Sequence, residues 1–243
     1  MVRVLLLGGT AEARELAGAF AAAGFEVVES VAGRTRQARG GSASLVGGFG
    51  GVDGLAQYLR TAGVGAVVDA THPFAARMTG NAAQACALTG VPLLRFARTG
   101  WRTHPDASDW VWVGDHSQAA VAAGRAGGRV LLTVGRQPLP AYRELTDVVA
   151  RVAEWQGDPV PAGWLIVEAR GPFTLVGELA LLGREQVAVL VSKDSGGALT
   201  AAKLDAAREL GVRVIMVRRP AAPDGVPEVG STVDAVAWLA GLG

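Results

Sequence analysis

The segment "LLLGGTAEARELA", residues 5–17, combines residue types that bind anions. It runs from an apolar strand through Gly8 and Gly9 into a helical stretch. Glycines at such a turn let a pyrophosphate approach the backbone, where the N–H groups of the helix N-terminus bind it. The match to the dinucleotide-binding pattern Gly-x-Gly-x-x-Gly is partial, because Thr10 and Ala13 replace its last two glycines. Taken alone, the segment is equally consistent with a tight turn that binds no ligand.

A second segment, "SKDSGGALTAAKLDAAREL", residues 192–210, places a cation where a helix disfavours one. Lys203 falls in the first turn of the predicted helix, where the positive end of the helix dipole repels it. A bound carboxylate or phosphate would reverse this effect, whereas solvent screening would make Lys203 an ordinary surface residue. The donors available for such an anion are Lys193, Ser195, Gly196, Gly197 and Thr200, with Arg136 in "TVGR" and Arg170 in "ARGPF" as further cations.

The end of the second predicted strand indicates which dinucleotide the first segment would bind. Glu29 is followed there by Ser30, and by Arg34 and Arg36 in a glycine-containing loop. An acidic residue at this position selects a free ribose 2′-hydroxyl, whereas small hydroxyls and arginine select a 2′-phosphate. We therefore expect NADPH in preference to NADH, the alternative being a solvated basic loop without a ligand.

These segments belong to a repeated alternation of short β-branched runs and alanine-rich helical stretches. Such alternation predicts parallel strands joined by crossover helices. In the first half we predict strands at 3–8, 25–30, 42–48, 65–70 and 91–96, with helices at 11–23, 52–62 and 73–89. In the second half we predict strands at 128–135, 148–153, 164–169, 187–194 and 213–220, with helices at 116–126, 174–183 and 200–210.

The stretch 97–117 separates the two halves. Its turn formers and tryptophans interrupt the alternation, so we expect one domain at 1–97 and a second at 98–243. Each domain is predicted to be Rossmann-like α/β, with a mainly parallel sheet flanked by helices. Ligands of such sheets bind beyond the carboxyl ends of the strands, which predicts a ligand cleft between the two domains.

The composition argues against several classes of function. Lys plus Arg total 23 against 22 for Asp plus Glu, which leaves no field strong enough for nucleic acid or an anionic membrane. Cys86 is the only cysteine, so no intrachain disulfide can form, and the three histidines are not spaced with it as metal ligands would be. No apolar run reaches the ~20 residues of a membrane span. We expect a cytoplasmic protein that requires no metal.

Together these motifs resemble those of the precorrin-6A reductases of cobalamin biosynthesis. The resemblance is carried by "LLLGGTAEARELA", "VAGR", "GGFGG", "VVDATHPFAARMTGNA", "LLRFARTGW", "LLTVGRQ", "ARGPF" and "VSKDSGGALTAAKLDAARELGVRVIMVRRP". It implies a two-domain oxidoreductase that uses NADPH to reduce one double bond of precorrin-6A, giving precorrin-6B. The motifs leave open the cobalt-containing substrate of the anaerobic route. A non-catalytic NADPH-sensing module is the alternative from another class.

The resemblance also implies roles for particular residues. The cofactor would be bound by Gly8, Gly9, Thr10, Ala11 and Glu12 at its pyrophosphate, by Ser30 and Arg34 at its 2′-phosphate, and by Thr71, His72 and Pro73 at its nicotinamide half. The tetrapyrrole would be bound by Arg136, Arg170, Gly171, Pro172, Phe173, Lys193, Asp194, Ser195, Gly196, Gly197, Thr200 and Lys203. The proton that follows the hydride would come from Lys203, His72, Asp69 or solvent, although His72 is equally suited to the start of a helix before Pro73. Lys203 is the first choice for a catalytic role, in which it would stabilise charge or orient a carboxylate of the substrate. Neighbouring enzymes of the pathway are candidate partners.

Overall fold

The computed structural model describes residues 2–31, 44–46, 49–157, 159–197 and 200–242. Its strands are β1 (Arg3–Leu7), β2 (Glu26–Val31), β3 (Ser44–Val46), β4 (Ala66–Asp69), β5 (Leu93–Phe96), β6 (Val111–Val113), β7 (Arg129–Leu132), β8 (Val148–Val152), β9 (Trp164–Glu168), β10 (Val187–Lys193), β11 (Arg213–Val217) and β12 (Glu228–Val229). Its helices are α1 (Ala11–Ala22), α2 (Val52–Thr61), α3 (Ala76–Thr89), α4 (His116–Ala126), α5 (Leu175–Arg184), α6 (Ala202–Glu209) and α7 (Thr232–Ala240). None of these helices has both the length and the apolar character needed to cross a bilayer.

The chain divides into two compact units, one of Met1–Arg98 with Pro220–Gly243 and the other of Thr99–Arg219. The expected second domain at 98–243 is therefore corrected at its carboxyl end. Residues 220–242 return to the first unit, where β12 pairs with β5 and α7 packs on α1. The prediction contained neither element: a strand of two residues has no readable periodicity, and no helix was predicted after residue 210.

The first unit is a single sheet with helices on both faces. Its strands are parallel, in the order β12-β5-β4-β1-β2-β3. The central strands β1 and β4 are buried on both faces, which explains why their apolar runs are continuous and not alternating. On one face Leu6 packs with residues of α1 and α7, and on the other Leu5 packs with α2 and α3, including Cys86.

The second unit follows the same plan. Its strands are parallel, in the order β6-β11-β10-β7-β8-β9. Leu131 and Leu190 of the sheet pack with Leu182 of α5 and Leu204 of α6, while α4 packs against β10 and β11. Two α/β units with parallel sheets confirm the predicted fold class. The prediction omitted β6, a three-residue edge strand inside the stretch that the sequence marks as a crossing.

Each sheet has one point at which the strand order reverses. This point lies between β1 and β4 in the first sheet and between β7 and β10 in the second. Loops that follow these strands meet at the carboxyl edge of the sheet, where ligands of doubly wound folds bind. The loops concerned are residues 8–10 after β1, 70–75 after β4, 133–138 after β7 and 194–197 after β10.

Candidate functional site at the switch points of the two sheets

The turn after β1 contains two glycines, one with neighbouring atoms close to its Cα and one facing open space. The Gly8 N–H donates to the Ser30 carbonyl at 2.8 Å, and a Cβ at Gly8 would lie 2.5 Å from Oε1 of Glu29. Gly9 has a φ of +104°, is exposed, and has no atom within 4 Å of the position that a Cβ would take. A side chain at position 8 would therefore have to displace the Glu29 side chain, whereas Gly9 provides the left-handed backbone and the open surface that a phosphate needs for close approach.

Thr10 joins the two loops at the switch point of the first sheet. Its side chain accepts a hydrogen bond from the Ala13 N–H at 3.1 Å and so caps α1. Its hydroxyl also donates to the Ala70 carbonyl, after β4, at 3.0 Å. The amides of Ala11 and Glu12 belong to the first turn of α1, where N–H groups have no intrahelical acceptor, so this helix end can bind an anion.

Glu12 is paired with a cation that follows β5. Arg98 donates from Nη1 to Oε1 of Glu12 at 2.6 Å. Partial burial alone would raise the pKa of the Glu12 carboxyl. Hydrogen bonds from Arg98, from the Glu12 backbone amide and from Thr10, together with the charge of Arg98, outweigh this effect and lower the pKa. The carboxylate is therefore ionised and paired at neutral pH.

Asp69, one of the predicted proton donors, holds the loop after β4. Its Oδ1 accepts from the Thr71 N–H at 3.0 Å and from the Thr71 hydroxyl at 2.6 Å. Its Oδ2 accepts from the Thr79 hydroxyl at 2.6 Å, and the residue is 1% exposed. One carboxylate oxygen is used by the loop and the other by α3, which argues against proton delivery by Asp69 and against a direct ligand contact through the Thr71 hydroxyl.

His72 and Pro73 lie in a turn that delays the next helix. Nδ1 of His72 accepts from the Phe74 N–H at 3.2 Å, and its carbonyl accepts from the Ala75 N–H at 2.7 Å. Consequently α3 begins at Ala76, three residues after the predicted start at position 73. Because Nδ1 is an acceptor, the proton of a neutral His72 ring is on Nε2.

A pocket of about 200 Å³ opens beside this turn in the first unit. Arg95, from β5, is buried and forms an ion pair with Glu228 at 3.0 Å. Of the predicted cofactor residues, Pro73 contributes to the lining. The pocket is lined by Pro73, Ala76, Thr79, Gly80, Arg95 and Pro220–Pro223.

Ser30 lies at the end of β2, next to Gly8 through the backbone contact described above. Ser30 is buried, and its Oγ has no hydrogen-bond partner among the residues that the structure describes. Its predicted partner in binding a 2′-phosphate, Arg34, lies outside the described residues, as does Arg36. The choice between NADPH and NADH therefore stays a prediction.

Three titratable side chains cluster at the carboxyl edge of the second sheet. Lys193 ends β10, and burial lowers the pKa of its ammonium group to about 8. Nδ1 of His116, at the start of α4, lies 2.7 Å from the Tyr142 hydroxyl. Burial and the charge of Lys193 lower the pKa of His116 to about 4, and burial raises the pKa of Tyr142. His116 and Tyr142 are therefore neutral near pH 7, and Lys193 is the member that titrates close to that pH.

Asp194, predicted to bind substrate, has its carboxylate engaged inside the second unit. Its Oδ1 accepts from the Trp101 N–H at 2.6 Å. Arg219 donates from Nε to the Asp194 carbonyl at 2.7 Å and lies 3.6 Å from the carboxylate. Asp194 and the next residue, Ser195, are both buried. A carboxylate would also repel the carboxylates of a tetrapyrrole, so we correct the predicted role of the Asp194 side chain to a structural one.

The glycines of the loop after β10 allow two backbones to approach closely. Gly196 and Gly197 have φ values of +64° and +87°, and a Cβ at Gly196 would lie 2.0 Å from the Thr99 carbonyl oxygen. The Thr200 hydroxyl donates to the carbonyls of Gly196 and Gly197 at 3.4 and 3.3 Å. Lys203, 5% exposed, donates from Nζ to the Thr200 carbonyl at 2.6 Å. The described contact of the Lys203 ammonium group therefore stabilises this loop from within.

In the loop after β9, Arg170 is bound to the segment that directly follows β8. Arg170 donates from Nε to the Ala153 carbonyl and from Nη2 to the Glu154 carboxylate, both at 3.2 Å. Gly171 and Pro172, which follow, are exposed. The tip of the loop is therefore presented to solvent from a fixed base.

Phe173 at the end of this loop packs against a buried ion pair. The Arg151 guanidinium lies over the Phe173 ring, 4.0 Å from its centroid, and donates to Oε1 of Glu178 at 2.7 Å. On the neighbouring loop after β7, Arg136 donates from Nη1 to the Gln156 side chain at 2.5 Å. Aromatic and cationic groups thus follow β7, β9 and β10 at one edge of the sheet.

Sequence reasoning missed several members of this arrangement because their partners are distant in the chain. They are Arg98, His116, Tyr142, Arg151 and Glu178. One available signal was the use of lysine. Of the 23 Lys and Arg residues, only Lys193 and Lys203 are lysines, and they flank the same loop.

The order of the parallel strands in the two sheets places the chain in the class of doubly wound α/β proteins. A comparison with family models refines this class. The model of the precorrin-6x reductases, CbiJ/CobK, matches residues 3–240, and the chain belongs to this family. The family resemblance of the motifs is thereby confirmed.

Individual relatives agree with the family match. The chain is 43% identical to the precorrin-6A reductase of Rhodococcus erythropolis over 246 residues, covering 100% of this chain and 99% of the relative. It is 32% identical to the cobalt-precorrin-6A reductase of Priestia megaterium over 233 residues, covering 89% and 90%. The solved structure of a CobK precorrin-6A reductase superposes with a TM-score of 0.89 at 42% identity, covering 100% of this chain and 98% of that one.

Proposed function

We propose that this protein reduces one double bond of precorrin-6A to give precorrin-6B, with NADPH as the hydride donor. The observation that carries the proposal is the family match over residues 3–240, together with relatives named precorrin-6A reductase that align over nearly their whole length. Relatives named cobalt-precorrin-6A reductase are less similar, at 32% identity or below. This difference favours the metal-free substrate over the cobalt-containing one.

The first unit has a site that fits the phosphates of a dinucleotide. Gly9 leaves the backbone open where a side chain would otherwise stand, and the first amides of α1 offer donors to an anion. We assign the pyrophosphate to residues 8–12, the 2′-phosphate to Ser30 with Arg34, and the nicotinamide half to residues 71–73. When bound, the cofactor supplies the hydride, and the protein supplies its position against the ring.

The second unit has cations suited to a macrocycle that carries many carboxylates. Arg136 and Arg170 follow β7 and β9, and Lys193 is the last residue of β10, so all three lie at the carboxyl edge of one sheet. Charge-assisted hydrogen bonds from such groups to carboxylates are strong and directional. We assign Phe173 to the apolar ring system and the amides of Gly196 and Gly197 to further carboxylate contacts.

The reduction also delivers one proton to the ring. Asp69 is held by three donors, so we no longer propose it as the source of this proton. The proposal keeps His72 and solvent as sources, and it gives Lys203 a role in orienting the substrate loop. A Lys203→Met variant with normal turnover and normal macrocycle affinity would remove Lys203 from the proposal, and a His72→Asn variant with normal turnover would leave solvent as the source.

The experiment that tests the function mixes the protein with NADPH and precorrin-6A under anaerobic conditions. We expect the absorbance of reduced nicotinamide to fall by one equivalent per macrocycle, and the product to gain two hydrogens by mass. NADPH binding without oxidation would instead favour the sensing module. Parallel reactions with NADH and with cobalt-precorrin-6A test the assigned cofactor and the preference for the metal-free ring.

A further inference from the structure

The ion pair between Glu12 and Arg98 lies at the place assigned to the cofactor's pyrophosphate. Glu12 is the second residue of α1, directly after the turn of Gly8, Gly9 and Thr10. Arg98 follows β5, so its side chain reaches across the edge of β4 toward β1, over the point where the strand order reverses. The two side chains are 24% and 20% exposed. The pair is therefore partly shielded from water and adjacent to the open glycine turn.

A carboxylate at this position opposes the function assigned to the turn. An acidic side chain in the first helical turn is favourable to an empty helix, because it compensates the positive end of the dipole. The same charge repels a pyrophosphate that uses that end of the helix. An isolated negative charge would therefore compete with the ligand, and because the Glu12 side chain is 24% exposed, added salt would screen part of this competition.

We propose that Arg98 is a positioning residue that makes the glycine turn a pyrophosphate site by neutralising Glu12. The 2.6 Å contact directs the guanidinium onto the carboxylate and brings a compensating positive charge beside the turn. This inference rests on the proposed function, because it takes the ligand of the turn to be NADPH. It goes beyond that function by assigning cofactor affinity to a residue outside the glycine motif.

Two single variants that remove opposite charges should have opposite effects on NADPH affinity, which tests the proposal. Arg98→Met leaves Glu12 without this cation, so NADPH should bind about tenfold more weakly at low salt. Glu12→Gln removes the negative charge, so NADPH should bind more tightly, by a factor of about three, and more so at low salt. The double variant should bind NADPH about as tightly as wild type, because without Arg98 the removal of the Glu12 charge should recover the full loss of about tenfold. Independent effects of the two substitutions would instead leave binding about threefold weaker than in wild type.

The control is an ion pair of similar length at the opposite edge of the same sheet. Arg3 and Glu26, at the starts of β1 and β2, are 2.7 Å apart. Arg3→Met should leave the NADPH dissociation constant unchanged. Nicotinamide fluorescence titrations should be run at low salt and near 1 M salt, where a Debye length of about 3 Å should shrink the effect of Arg98→Met. A purely structural role would lack both this salt dependence and the rescue by the second substitution.

The possible outcomes separate this inference from the proposed function. Wild-type protein that fails to bind NADPH would overturn the proposed function and the inference together. Wild-type binding with the same affinity in Arg98→Met as in Arg3→Met would overturn the inference alone. If Arg98→Met did not fold, as judged by circular dichroism, Glu12→Gln would decide, since weaker NADPH binding by that variant contradicts the proposal.

Discussion

Replacing Lys193 with methionine should stabilise the fold and impair the reaction. Burial lowers the pKa of Lys193 from 10.5 to about 8, which means that the folded protein holds the charged form at a cost in free energy. At 1.36 kcal/mol per pKa unit, the difference between 10.5 and about 8 corresponds to about 3 kcal/mol. Methionine has a similar length and no charge to desolvate, so Lys193→Met should recover a large part of that amount near pH 7.

The dependence of this gain on pH follows from proton linkage. Between about pH 8 and pH 10.5 the unfolded chain binds the lysine proton and the folded chain does not, so wild-type stability rises with pH across this window. Below pH 8 the full penalty is present. The advantage of Lys193→Met should therefore be largest at and below pH 7 and should decline toward zero by about pH 10.5.

Urea unfolding followed by circular dichroism from pH 7 to pH 10 measures both effects. Lys203→Met is the matched comparison, because it removes the other lysine and its hydrogen bond to the Thr200 carbonyl, which should cost about 1.5–3 kcal/mol. In the enzyme assay, wild-type kcat/KM for the macrocycle should fall as pH rises through about 8, because the cationic form of Lys193 is the one that binds carboxylates. A Lys193→Met protein less stable than wild type at pH 7, or with a stability difference that does not vary with pH, would refute the reasoning.

Three further perturbations test other parts of the structure. Gly9→Ala should lower the free energy of unfolding by about 1 kcal/mol or more, because a φ of +104° strains any residue with a side chain. Gly18→Ala, in the middle of α1, should raise the free energy of unfolding by as much as about 1 kcal/mol. Equal stabilities of the two variants would contradict the described turn. The His116 pKa is lowered from 6.5 to about 4, so the melting temperature of the wild type should drop as pH falls through that range. The double variant His116→Leu, Tyr142→Phe lacks the titrating imidazole and its hydroxyl partner, so its melting temperature should drop less over the same range. Arg151→Met should lower the free energy of unfolding in urea by about 3–5 kcal/mol, because it leaves the buried Glu178 carboxylate without a cation. The double variant Arg151→Met, Glu178→Leu should recover most of this loss, and a small loss in the single variant would contradict the pairing.

Element type and order were predictable because both sheets are parallel and buried. Strands covered on both faces give continuous apolar runs, and the crossover helices between them give alanine-rich stretches, as for β1 and α1. The two strands that were missed depend on pairing with a distant partner, whereas helix α7 was missed although Ser231 caps it. β12 has two residues and exists as a strand because it lies beside β5, and β6 has three and lies beside β11. Since the return of β12 to the first sheet determines where each unit ends, the domain boundary was wrong at the same place.

The candidate site was predictable in position but less so in the use of its side chains. Loops after the strands carry the expected glycines and cations, because the fold places ligand-binding residues there. Residue type alone did not distinguish a side chain aimed at a ligand from one that supports a loop. The carboxylate of Asp69 accepts hydrogen bonds from Thr71 and Thr79, which are close in sequence. The carboxylate of Asp194 accepts one from the backbone of Trp101, which is 93 residues away. The ion pair of Glu12 with Arg98 spans 86 residues, so it required the folded structure.

The distribution of lysine and arginine supports a functional reason for the cost of burying Lys193. The chain uses arginine at all but two of its 23 basic positions, including the buried pair on β8 and the pair at the glycine turn. Arginine stays charged at every accessible pH, whereas a buried lysine can lose its proton near neutrality. A chain selected for stability alone would place an apolar residue at the end of β10, and one selected only for fixed charge would place an arginine there. Retaining a lysine at this position keeps a cation whose charge responds to its surroundings, next to a loop that the other lysine holds.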